Sequence, residues 1–156
     1  MQALSTSFGK YATLPMGWIF MVLVIAFEAI LMSKLLSGIK SNGKVLFTVS
    51  LSNIISGLVG AFTSLAINGG WMLVVWLPWV SDHEVDDSNP ETLFSFIIYY
   101  IVAFVVTVAI EALINNLRLK NRYGSKEVTR NTIITNVISY LIGTFVLYSY
   151  SFLFYN

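Results

Sequence analysis

Two stretches of this chain repeat one another at a fixed offset of 83 residues with no gap, so whatever unit the first half builds, the second half builds again. Glu28-Ala29 returns as Glu111-Ala112. Asn53-Ile-Ile-Ser56-Gly-Leu58-Val-Gly60-Ala-Phe62 returns as Asn136-Val-Ile-Ser139-Tyr-Leu141-Ile-Gly143-Thr-Phe145. Ten of the thirty-five positions from Glu28 to Phe62 are identical, six of them in the ten-residue asparagine segment. Apolar composition accounts for Leu on Leu, but not for Glu on Glu, Asn on Asn, Ser on Ser and Gly on Gly at one offset. The repeat covers residues 16–66 and 93–154, which read as two copies of a two-helix unit.

The solvent for those helices follows from composition. With 56% hydrophobic and only 11% charged residues, the chain lies outside the range of soluble domains. A helix needs about 20 apolar residues, at about 1.5 Å each, to cross a hydrocarbon core of about 30 Å. Met16–Leu36, Val45–Ala66, Leu93–Leu117 and Thr132–Phe154 meet that length. The expected fold is an all-α membrane protein, a single transmembrane domain of four helices in two tandem parallel hairpins. The first stretch is read as a span and not a cleaved signal, because its apolar run is long and Met1 to Pro15 carries Lys10 as its one charge. With no cysteine, disulfides and thiol chemistry are excluded.

Charge placement predicts the orientation. Lys34, Lys40 and Lys44 flank the first hairpin loop, and Arg118, Lys120, Arg122, Lys126 and Arg130 flank the third; the intervening loop carries Asp82, Glu84, Asp86, Asp87 and Glu91. The positive-inside rule then puts both hairpin loops in the cytoplasm and both termini outside, in what reads as a bacterial inner membrane. Both copies share one orientation, so an axis relating them runs along the membrane normal. Between the second span and the acidic loop, Asn68-Gly69-Gly70 precedes a ten-residue apolar segment, too short to span, that carries Trp71, Trp76, Pro78 and Trp79. It is expected to form an interfacial elbow anchored by its tryptophans, with Tyr148, Tyr150 and Tyr155 anchoring the last helix at the same depth. A lipid or quinone contact is the rival reading of the elbow.

The intramembrane glutamates carry the sharpest chemistry. Glu28 lies six residues before Lys34 and Glu111 seven before Arg118, about 10 Å inside the cytoplasmic boundary. Asn53 and Asn136 reach a similar depth from the other arm of each hairpin, so each Glu can meet its Asn. A carboxylate at that depth costs roughly 2.5 to 3.5 kcal/mol and must face protein or water, find a partner or hold a proton. In one reading, Glu–Asn hydrogen bonds hold each hairpin together; in the other, the carboxylates line a proton or cation path. The second copy is the more polar, since Asn115 lies one turn after Glu111 where the first copy has Met32. Ser56 and Gly60, like Ser139 and Gly143, have the small-xxx-small spacing of helix packing.

Other chemistries lack their residues. His83 among the acidic side chains of the middle loop matches no zinc or EF-hand spacing, so no metal is expected. No phosphate-binding glycine loop, Ser-His-Asp set or aromatic-basic array is present, and the reading is of a non-enzyme without cofactors or nucleic-acid partners. The basic run from Arg118 to Lys126 fits topology and contact with anionic lipid.

The segment Phe27-Glu28-Ala29-Ile-Leu-Met-Ser-Lys-Leu-Leu36, followed by Thr48 and Asn53-Ile-Ile-Ser56-Gly-Leu-Val-Gly60, resembles the amino-terminal hairpin of the cyanobacterial filament-integrity protein FraC family. That family also has a Glu-Ala pair late in its first helix and a later Asn-x-x-Ser segment ending in Gly. The resemblance implies a structural role at septal cell-to-cell junctions and makes Glu28, Asn53 and Gly60 the matching positions. The expected function is a structural or assembly subunit of a membrane complex, with the bilayer and other membrane subunits or further copies of itself as partners. The alternative is a small homo-oligomeric ion or proton channel or transporter using Glu28 and Glu111. A lipid-binding module built on the tryptophan elbow is a third class.

Overall fold

The computed structural model describes residues 15–68 and 90–155. Four helices account for nearly all of them: α1 (Pro15–Ser37), α2 (Gly43–Asn68), α3 (Pro90–Tyr123) and α4 (Ser125–Tyr155). The architecture is therefore all-helical, with one helix over each predicted apolar stretch. Among the described residues, α2 over Gly43–Thr63 and α3 over Ile97–Tyr123 are long and apolar enough to cross a membrane. The elbow with Trp71, Trp76 and Trp79 and the acidic segment with His83 lie outside the described residues.

Local chemistry explains where the helices stop. α1 and α3 end on the same device: Gly38 (φ 73°) and Gly124 (φ 81°) are left-handed. Their N–H groups donate to the Lys34 and Lys120 carbonyls at 3.0 and 2.8 Å. That single bond closes the last turn, and glycine adopts the required φ without a Cβ clash. Past Gly38, Asn42 caps α2, its Oδ1 accepting from the Val45 N–H at 3.4 Å. Buried Ser33 holds the five-residue connector, donating to the Ile39 carbonyl and accepting from the Asn42 N–H, both at 2.9 Å.

The second connection differs from the expected loop. The basic residues from Arg118 to Arg130 are helical, and Gly124 alone separates α3 from α4. Hydropathy marks where apolar side chains end, not where the backbone stops coiling. Lys and Arg are good helix formers, and Lys120 and Arg122 in the last turn of α3, with Glu127 in the first turn of α4, each complement the helix dipole.

The described residues form two compact units, one of 15–22, 56–68 and 90–107, the other of 23–55 and 108–155. In the first, Ser56, Gly60, Ala103 and Thr107 are buried. In the second, Ala29, Met32, Val45, Val49, Leu119 and Val128 form an apolar cluster, with Leu36, Leu46 and Tyr123 packed on it. The duplication shows in burial as well as in sequence. Val45, Val49, Ser52, Ser56 and Gly60 are the inward positions of α2, and Val128, Thr132, Thr135, Ser139 and Gly143 are those of α4, each set 83 residues from its counterpart.

Polarity is distributed opposite to that of a water-soluble bundle. Among the described residues, thirteen polar or charged side chains are buried against seven apolar ones, while Phe62, Leu117, Leu141 and Phe145 are among many large apolar side chains left 54% exposed or more. Each large apolar side chain that stays in water forgoes roughly 1.5 to 3 kcal/mol of burial. Exposed apolar side chains in such number need an apolar medium or partner to cover them.

Candidate functional site

The site is built from positions four residues apart, which stack on one face of each helix. On α3, Glu111, Asn115 and Leu119 occupy i, i+4 and i+8; on α4, Val128, Thr132 and Asn136 do the same, and all six are buried. Moving away from the connectors, each helix therefore passes from an apolar to a polar side chain on its inner face. The polar groups meet one another there.

The two copies make the same clamp. Asn53 Nδ2 donates to Glu28 Oε2 at 2.8 Å and to the Val49 carbonyl at 3.1 Å. Asn136 Nδ2 donates to Glu111 Oε2 at 2.8 Å and to the Thr132 carbonyl at 3.1 Å. The backbone acceptor one turn back fixes each amide, so its other N–H points at the neighbouring helix. Glu28 and Glu111 are 2% and 1% exposed, and a buried carboxyl without donors would cost several kcal/mol. The clamp answers that cost twice with one solution.

A further donor joins the copies. Ser139 Oγ of α4 donates to Glu28 Oε1, so both oxygens of that carboxyl are engaged, one from α2 and one from α4. Asn115 makes a second junction: its Oδ1 accepts from Ser52 Oγ of α2, and its Nδ2 donates to Thr132 Oγ1 of α4, both at 3.1 Å. Thr132 in turn donates to the Val128 carbonyl at 2.9 Å. Nearer the connectors, Asn116 Nδ2 donates to Thr129 Oγ1 at 2.7 Å, Ser125 Oγ to Asn116 Oδ1 at 2.8 Å, and Asn42 Nδ2 to Tyr123 Oη at 3.1 Å. Among the described residues, Asn136 Oδ1 is the buried side-chain atom without a partner.

The structure thus brings Glu28 to Asn53 and Glu111 to Asn136, the pairings expected from depth. It places Asn115 between Ser52 and Thr132. Ser139, expected only to pack, is also a hydrogen-bond donor to Glu28, while Gly60 and Gly143 are buried in the small-residue positions. Ser52, Thr132 and Asn116 were not singled out from sequence. Their signal was a polar residue close in sequence to a repeated Asn or Glu, Ser52 next to Asn53, Thr132 one turn before Asn136 and Asn116 five residues after Glu111, which inside an apolar helix asks for a partner. Among the described residues no three His, Cys, Asp or Glu side chains gather where a metal ion could be held, and the carboxyl groups here accept from amides and a hydroxyl. Compared with protein-family models, curated proteins and solved structures, the chain matches none.

Proposed function

We propose that this chain is an integral membrane protein whose four helices all cross the bilayer as two tandem parallel hairpins, and that it serves as a structural or assembly subunit of a membrane complex. One observation carries the reading. Both oxygens of Glu28, one of the two acids that an ion path would use, are taken by donors from two other helices. Interhelical bonds of this kind contribute roughly 0.6 to 2 kcal/mol each in a bilayer, and together they hold α1, α2 and α4 in one register. The apolar exterior supports membrane integration, and the exposed basic side chains near both connectors support a cytoplasmic position for that end. A junction between cells is the setting implied by the resemblance of the Glu28-to-Gly60 hairpin to the filament-integrity family.

The test is replacement of both acids, Glu28→Gln with Glu111→Gln. Glutamine keeps one acceptor and gains a donor, so each side chain can still bond its asparagine. The subunit reading expects retained assembly with modest destabilisation. Loss of an ion flux from an otherwise intact particle would move the function to transport.

A further inference from the structure

At the connector end of the second unit, eight basic side chains between Lys34 and Arg130 are exposed, and the one carboxylate on that exterior among the described residues, Glu127, is bonded to Arg130. The surplus is concentrated beside apolar surface at one place. The Arg118 guanidinium of α3 lies over the Phe47 ring of α2, 5.1 Å from its centroid, and Lys44 stands three residues before Phe47 on the same helix face. Phe47, Ile54, Leu113 and Leu117, on the same two helices as these cations, are half or more exposed. Cation–π attraction to the ring steadies the guanidinium, whose forked N–H groups match the planar pair of oxygens that Arg binds in a phosphate.

We propose that Arg118, steadied by Phe47 and joined by Lys44, binds the phosphate of an acidic phospholipid whose acyl chain lies along the exposed apolar side chains of α2 and α3. Charge complementarity selects an anionic headgroup, and apolar surface directly beside the cations selects a lipid over a free phosphate. This inference rests on the membrane reading above, and the two fail differently. A chain released from membranes by alkaline washing fails the membrane reading before any lipid is added.

The experiment is a titration of the detergent-purified full chain with dioleoyl-phosphatidylglycerol or dioleoyl-phosphatidylcholine, read by native mass spectrometry. Wild type should retain phosphatidylglycerol preferentially. Lys44→Gln with Arg118→Gln should lower that preference by roughly tenfold. Phe47→Leu, which keeps both charges, should lower it by about threefold. Removing two other cations, Lys120→Gln with Lys126→Gln, should change it by less than about twofold. Parity of the two lipids on wild type overturns the proposal, as does an equal loss in the two double variants, which would mean a diffuse field without a site. Equal binding of water-soluble glycerophosphoglycerol overturns the choice of lipid.

Discussion

Removing the two donors to Glu28, singly and together, measures whether the buried acid holds helices together. Asn53→Ala removes the 2.8 Å bond to Oε2, and Ser139→Ala removes the donor to Oε1. Each loss alone leaves the carboxyl one donor, and interhelical hydrogen bonds in a bilayer average roughly 0.6 kcal/mol with a maximum near 1.7. Each single variant is therefore expected to cost about 1 kcal/mol. The double variant leaves a side chain that is 2% exposed with neither donor, and an unsatisfied buried acceptor costs about 1 to 3 kcal/mol, more if charged. It should therefore exceed the sum of the singles by about 1 to 2 kcal/mol, for a total of about 3 to 4. Unfolding in mixed micelles at constant lipid composition, followed by circular dichroism, supplies the four free energies of the cycle. A double variant equal to the sum of the singles, or three variants within about 0.3 kcal/mol of wild type, would refute the claim that Glu28 couples α2 to α4.

Glu28→Leu is expected to cost less than the Asn53 and Ser139 double variant. Both donors keep an acceptor on their own helix, the Val49 carbonyl at 3.1 Å and the Asn136 carbonyl at 3.0 Å, and no carboxyl is stranded; the same unfolding assay checks the order. Asn115→Leu, which removes the bridge from Ser52 to Thr132, should destabilise by about 1 to 3 kcal/mol and speed backbone amide exchange more in α2 and α4 than in α1. Gly124→Ala meets no neighbouring atom within 4 Å but places a Cβ at φ 81°, a strain of roughly 1 to 2 kcal/mol. Asn at that position should recover part of it in a thermal melt. Arg130→Gln, which breaks an exposed ion pair with Glu127, should change stability by less than about 1 kcal/mol.

The pairing of Glu28 with Asn53 and Glu111 with Asn136 was legible because the repeat singles out those four residues and helical rise puts each pair at one depth. Helix existence was equally legible from runs of apolar residues. The end of α3 and the start of α4 were not, because charge marks the edge of an apolar run while the backbone coils on through Arg118 to Tyr123 and begins again at Ser125. Ser139 reaching Glu28 was hidden for a different reason. An offset of 83 aligns each residue with its equivalent, and it does not say which copy's serine faces which copy's glutamate. Asn115 was recognisable as polar and inward, but its partners on α2 and α4 depend on how those helices rotate, which no spacing along α3 encodes.

The composition of the particle that carries this chain in its native membrane tests the proposed role most directly. Purified in mild detergent and weighed intact, the chain should emerge with other polypeptides in fixed stoichiometry, and that stoichiometry should survive Glu28→Gln with Glu111→Gln. A particle made of this chain alone, conducting ions until the two glutamates are replaced, would contradict the account.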